Sequence, residues 1–368
     1  MKGMGATIAL AALIACVGLA ACGDDDDNGG GNGGAGEGGG KKIALLLPET
    51  KTTRYEQHDR PGFTNKVEEL CPDCEVLYAN AAQDATKQQA QAEAAITKGA
   101  SVLVLDAVDA EAAATMVERA KQSDVPVIAY DRLISDADID YYVSFNNVRQ
   151  GRIEARTLLE KLGNNGEGKS IVMINGSPTD PSAGDYKKGA HQIFDASGVD
   201  IAKEYDTPDW SPDKAQLEME QATTALGKDN IDAVYSANDG MAGGAIAAMK
   251  SAGIDPKQVP VTGGDAEVAA IQRILAGEQY MTIYLTIKKQ AEVSAELAVA
   301  AANGDKPPAG LINAKVDNGQ KQVPSVLLTP VAVTKDNIND TIIADGFLDA
   351  SEICTGKYAD MCKEAGVG

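Results

Sequence analysis

SVLVLDAVDAEAAATMVERAKQSDVPVIAYD, residues 101–131, runs from an unbroken apolar stretch through an acidic turn and an Ala-rich amphipathic segment to a second apolar stretch, which ends at Asp131. A short apolar run without alternation is what a strand buried on both faces requires, and the longer segment between has the period of a covering helix. Residues 231–265, IDAVYSANDGMAGGAIAAMKSAGIDPKQVPVTGGD, repeat that order and close at Asp265. Two copies of one strand–helix–strand unit read as two similar α/β halves, each built on its own parallel sheet, rather than as one long sheet.

Outward from these units the same alternation continues from residue 41. Strands are expected at 43–47, 75–78, 102–105, 125–130, 142–145, 170–174, 201–205, 233–236, 260–262 and 281–285. Helices are expected near 58–70, 85–98, 109–122, 148–162, 183–196, 213–226, 240–252, 266–276 and 287–303. The chain has 368 residues, 44% of them hydrophobic, and a core beyond about 250–300 residues usually divides, which again gives two domains.

Charge and composition remove several classes of function. A formal net charge of −21 without a Lys/Arg cluster repels phosphate backbones, so no nucleic-acid partner is expected. His58 and His191 are the only two histidines. Without repeated C-x-x-C spacing they supply no zinc centre, and neither a metal nor another cofactor is expected.

Lys2 precedes an apolar, small-residue run that ends in Leu19-Ala20-Ala21-Cys22-Gly23. This reads as a secretory signal over 1–21 with a lipoprotein box, in which the Cys22 thiol carries diacylglycerol and holds the protein at the outer face of the cell membrane. Ordinary cleavage with an unmodified Cys22 is the plainer alternative. Residues 22–40, mostly Gly, Asp and Asn, form a flexible tether. Export leaves Cys71, Cys74, Cys354 and Cys362 as two disulfides. Four cysteines allow three connectivities, with the local pairs Cys71–Cys74 and Cys354–Cys362 favoured. Cys71-Pro72-Asp73-Cys74 follows a helix-like stretch instead of opening one, which argues against a redox motif.

Ligands of parallel sheets bind beyond the carboxyl ends of strands, and those ends carry Asp131-Arg132, Asn146-Asn147, Asn238-Asp239 and Asp265. Arg54-Tyr55 follows the first strand and Asp180 the sixth. With Trp210, this set suits a sugar: carboxylates, amides and an Arg fork bond the hydroxyls in the plane of the ring, while its C–H face packs on an aromatic. Each Asp or Asn could instead merely cap the next helix. There is no G-x-S-x-G elbow, so a binder and not an enzyme is expected, although Asp131 and Asp265 could in principle form a glycosidase pair.

The stretches VPVIAYDRLISDADIDYYVSFNN, TTRYEQHDR, INGSPTD, SANDGMAGGAI, GGDAEVAAIQRILAGEQYMTIY and VPSVLLTPVAVTKDNINDTIIADGF together resemble the periplasmic D-xylose-binding proteins of bacterial ABC importers, over nearly all of 41–348. The resemblance implies a type I periplasmic binding protein fold, with two Rossmann-like lobes joined by three crossovers around a ligand cleft. It implies a monosaccharide ligand, a monomer, and delivery of the closed form to ABC permease transmembrane subunits. Position by position, the sugar contacts fall on Arg54, Tyr55, Asp131, Arg132, Asn147, Asp180, Trp210, Asn238 and Asp265.

Two positions depart from the family: Ser182 replaces an Asn, and Leu285 replaces a sugar-contacting Lys. Ser182 is kept as a candidate, and the departures put the identity of the aldose in question. Lobe limits of 41–146 plus 286–322 and 147–285 plus 323–348 are expected, with 349–368 as a tail outside the resemblance. A sensor presenting its closed form to a membrane kinase or chemoreceptor is the alternative on the same fold. A LacI-type regulator would need a helix-turn-helix where the signal and linker stand, and a glycan-processing enzyme would turn its sugar over.

Overall fold

The computed structural model describes residues 40–368; the expected signal, Cys22 and the linker through residue 39 lie outside the described residues. The chain begins with β1 (Lys42–Leu47), α1 (Arg60–Leu70), β2 (Glu75–Asn80), α2 (Ala85–Thr97), β3 (Val102–Leu105), α3 (Ala114–Lys121), β4 (Val127–Tyr130) and β5 (Tyr141–Phe145). A π-helical turn, Tyr55–Asp59, leads into α1. The second half contains α4 (Asn147–Leu162), β6 (Ser170–Asn175), α5 (Pro181–Phe194), β7 (Asp200–Asp206), α6 (Pro212–Leu226), β8 (Ala233–Ser236), α7 (Asp239–Ser251), α8 (Val268–Ala276) and β9 (Thr282–Tyr284). The chain then returns to the first half through α9 (Ile287–Asn303), β10 (Ala314–Asp317) and β11 (Gln322–Leu328), crosses again to β12 (Val331–Val333), and ends in α10 (Ala350–Ile353) and α11 (Tyr358–Ala365).

The first lobe is a seven-stranded sheet in the order β10-β11-β5-β4-β3-β1-β2, parallel except for β10. The second carries the parallel trio β7-β6-β8 and the antiparallel pair β12-β9. Residues 261–265 join these two sheets: Val261 bridges Val234, and the backbone of Ile283 bonds that of Gly263 and Asp265. Strands β3, β4 and β8 are buried at every residue, as continuous apolar runs under helices on both faces require. The chain therefore passes between lobes three times, after β5, after β9 and after β11.

Most expected elements form, with three differences. The expected strand 260–262 makes only the single bridge at Val261, because Pro260 has no N–H to give a ladder and the backbone turns at Gly263-Gly264. The third helix starts at Ala114 instead of 109, since Asp109 caps a turn by accepting from the amides of Glu111 and Ala112. The third crossing lies beyond Leu328, not at 322. Residues 325–328 pair with β5 of the first sheet, and the buried Val323 and Val326 pack into that lobe; the expected limit of 322/323 is corrected accordingly.

Both local disulfides form. Cys71–Cys74 closes the turn from α1 to β2, and Cys354–Cys362 links α10 to α11. The C-terminal segment is packed, not trailing: Phe347 stacks 4.3 Å from His58 of the first lobe and 5.0 Å from Tyr284 of the second. Gln272 on α8 donates to the Ile353 carbonyl at 3.0 Å. At the start of the described residues the Lys41 carbonyl accepts from Glu75 N–H at 2.9 Å, so the chain enters the first sheet at the amino ends of its strands.

Candidate ligand-binding cleft

The carboxyl ends of the strands in both lobes face one cavity, lined by Thr52, Arg54, Tyr55, Asp131, Arg132, Gln150, Asp180, Tyr186, Trp210, Ala237, Asn238 and Asp265. Eight of the ten candidates from the sequence come together here. Asn147 and Ser182 do not: the Asn147 amide donates to Ser182 Oγ at 3.1 Å, and both line an adjoining seam beside Tyr142 and Phe145. Neither lines the cavity itself, and Asn147 Oδ1 has no hydrogen-bond partner among the described residues. Leu285 is buried in the apolar cluster around β9 and β12 and supplies no polar group to the cavity.

Two buried arginines organise the cavity. Arg54 forks onto Asp59, with Nε to Oδ2 at 3.0 Å and Nη2 to Oδ1 at 2.8 Å. It also donates to Gln290 Oε1 at 2.6 Å and to Asp131 Oδ1 at 3.4 Å. Gln290 donates in turn to Asp131 Oδ1 at 2.9 Å, and Tyr130 donates to Asp59. Arg132 Nη1 donates to the Ala107 carbonyl at 3.0 Å; its Nε lies 2.9 Å from Asp180 and 3.4 Å from Asp106, close ion pairs without a well-directed hydrogen bond. Each guanidinium is thus held between carboxylates, which buried cations require.

The carboxyl groups feel both burial and these cations. Burial pushes Asp59, Asp180 and Asp265 above the usual carboxylate range, against the pull of Arg54 on Asp59 and Asp265 and of Arg132 on Asp180. Asp265 makes no side-chain hydrogen bond among the described residues, and the Asn238 Nδ2 is likewise free there, its Oδ1 accepting from Met241 N–H at 3.0 Å. These are groups offered to a ligand. The capping alternative and the site reading coincide at Asp180, whose Oδ1 accepts from Ser182 N–H at 2.8 Å while Oδ2 accepts from Trp210 Nε1 at 3.1 Å.

Local backbone sets these directions. Asp131, Asp265 and Trp210 all have positive φ, at 60°, 95° and 53°, a cost that recurs at functional sites. The indole lies against Gly176, where a Cβ would meet its ring at 2.0 Å. Sequence reasoning missed Asp59, Tyr130, Asp106 and Gln290, which hold the arginines, and Thr52, Gln150 and Tyr186 in the lining. Only Asp106 carried the strand-end signal, following VLVL directly.

Two α/β lobes whose strand ends converge on one polar cavity, lined by ion-paired arginines and a tryptophan, define a solute-binding protein of the two-lobed, cleft-closing class. The chain belongs to the periplasmic binding protein domain family, whose pattern matches residues 43–306. It is 40% identical over 309 residues to the D-xylose-binding periplasmic protein of Haemophilus influenzae, covering 83% of this chain and 90% of that one. It is 37% identical over 315 residues to the D-xylose-binding periplasmic protein of Escherichia coli, covering 84% and 92%. Among solved structures, an ABC transporter solute-binding protein of Clostridium phytofermentans with bound β-D-glucose matches with a TM-score of 0.77 at 25% identity, covering 85% of this chain and all of that one.

Proposed function

We propose that this protein is an extracytoplasmic receptor that captures a monosaccharide, D-xylose or a related aldose, by closing its lobes, and delivers it to an ABC permease. The observation that carries the reading is the cavity itself: carboxylates, amides and two fixed guanidinium groups beside the Trp210 indole. Asp131 and Asp265 come from opposite lobes, so a sugar bonded to both is held better in the closed state than in the open one, and that difference drives closure. The moving bodies are 40–146 with 286–328 and 147–285 with 331–348. The relatives named for D-xylose make that pentose the first ligand to test, and the Leu285 and Ser182 departures make the comparison with other aldoses informative.

The reading includes a binder without turnover, a monomer, and a lipid tether at Cys22, which mass analysis of the mature amino terminus tests directly. No helix among the described residues is long and apolar enough to cross a membrane, so attachment would rest on that tether. The primary test is calorimetric titration of residues 41–368 with D-xylose, ribose, arabinose, glucose and galactose. One-to-one binding with xylose tightest is the expected outcome. Preference for another aldose would move the substrate, and no heat with any sugar from a folded sample would overturn the assignment.

A further inference from the structure

Gln150 stands on the first turn of α4, one turn beyond the crossover from the first lobe, and is 1% exposed. It lines the cavity with Asn238 and Asp265, and its Oε1 has no hydrogen-bond partner among the described residues. A buried amide oxygen left without a donor is costly, and such groups in native proteins ordinarily find one. Its other end is fixed: Nε2 donates to Glu154 Oε1 at 3.0 Å, one helical turn further on. Glu154 is completely buried, and its Oε2 and the Tyr235 hydroxyl are the neighbouring unpartnered atoms. Burial pushes the Glu154 carboxyl well above the usual range. A proton carried on Oε2 leaves Oε1 free to keep accepting from Gln150.

The Asp265 loop closes over this pair. A Cβ at Gly264 would stand 3.1 Å from Gln150 Nε2 and 3.6 Å from Glu154 Oε1, so the glycine leaves room for the amide beside Asp265. Gln150 is thereby held in one orientation, with its oxygen as the free end.

We propose that Gln150 is a specificity-determining residue of the sugar site, its Oε1 accepting a hydrogen bond from one ligand hydroxyl, and that Glu154 is the positioning residue that turns the amide toward the cleft. This rests on the monosaccharide reading above. It adds an acceptor on the second-lobe wall beside Asp265, so that one hydroxyl is met by Gln150 as well as by the groups assigned from the sequence.

The experiment titrates the full mature chain and its Gln150→Leu variant with D-xylose and with its 2-, 3- and 4-deoxy analogues. The expected result is a loss of roughly tenfold in xylose affinity for Gln150→Leu, the scale of one hydrogen bond. The deoxy analogue lacking the partnered hydroxyl should bind both proteins within about twofold. An equal loss with every analogue, or no loss with any, overturns the assignment of Gln150 while leaving the receptor reading intact. Absence of binding to any monosaccharide by the unsubstituted protein overturns both. Gln150→Met serves if the leucine variant does not fold. For the positioning role, Glu154→Gln keeps an acceptor for Nε2 and should retain the analogue pattern, whereas Glu154→Leu should flatten it; an unchanged pattern in Glu154→Leu overturns that role.

Discussion

Asp131 sits in the left-handed region with φ 60°, and the surrounding bonds hold it there: its N–H donates to Val143, and its carbonyl accepts from the Tyr142 and Ser144 hydroxyls at 3.0 and 2.7 Å. The conformation aims the carboxylate at Arg54, Tyr55 and the cavity. Asn tolerates the same backbone, so Asp131→Asn isolates the charge. It is expected to weaken sugar binding by about ten- to a hundredfold, the scale of a charge-assisted bond, with the unliganded melting temperature changed by only a few degrees; calorimetry and thermal denaturation check this. The site was legible in the sequence at polar residues close behind an expected strand, as at Asp131, Asn238 and Asp265, although Asp106, directly after β3, was passed over. It was not legible at Asp59 and Gln290, which lie on helical segments and reach the cleft only through tertiary packing. Asn147 and Ser182 show the converse, since the amide nitrogen of one donates to the hydroxyl of the other in a seam beside the cavity.

At the scale of elements, glycines decide how closely the second lobe's helices approach. A Cβ at Gly151 of α4 would lie 1.9 Å from the Tyr186 carbonyl of α5, and one at Gly189 would lie 2.1 Å from that of Val148. The α6–α7 pair repeats the device, with Gly244 set against the Pro212 carbonyl at 2.1 Å. Gly151→Ala is therefore expected to destabilise the protein by about 1–3 kcal/mol, despite the better helix propensity of Ala, because the clash is with backbone; urea denaturation measures it. Helix α5 also carries a proton-dependent link to β7. Burial opposes protonation of His191, but Glu204 at 3.1 Å and Asp195 at 3.0 Å outweigh it and raise its pKa. A raised folded value means the contribution is complete below the ordinary histidine pKa of about 6.5 and is lost as pH rises through the folded value. The stability advantage of the unsubstituted protein over His191→Gln should accordingly shrink between mildly acidic and alkaline pH, as melting curves across that range would read. The buried parallel strands were legible because each is a continuous apolar run. Strands β10 to β12 were not, since β10 and β12 are short and partly exposed and β11 carries Pro324 and is followed by Pro330.

Across the whole molecule, contacts that span the two lobes without lining the cavity's polar ring would latch a closed arrangement under the receptor reading proposed above. Glu267 Oε1 accepts from the Thr53 hydroxyl at 3.0 Å and from its N–H at 3.3 Å, while Ala110 N–H donates to the Thr179 carbonyl at 3.3 Å on another part of the rim. Lys51 faces Asp209 at 3.8 Å. Removing a latch penalises closure equally for every ligand, so Glu267→Ala should lower the affinity for all bound aldoses by a common factor of about two to ten. A change in their ranking, measured by parallel titrations, would contradict this. The Lys41–Glu75 pairing at the amino end of β1 bears on how the protein can be handled. Six residues of extended chain put that end roughly 20 Å from the strand ends that carry the ligand groups, on the far side of the first sheet. A linker attached ahead of Lys41 to a gold film or a bead would leave the mouth of the cleft pointing into solution and free to shut, so immobilised sensing chips should be built from that terminus.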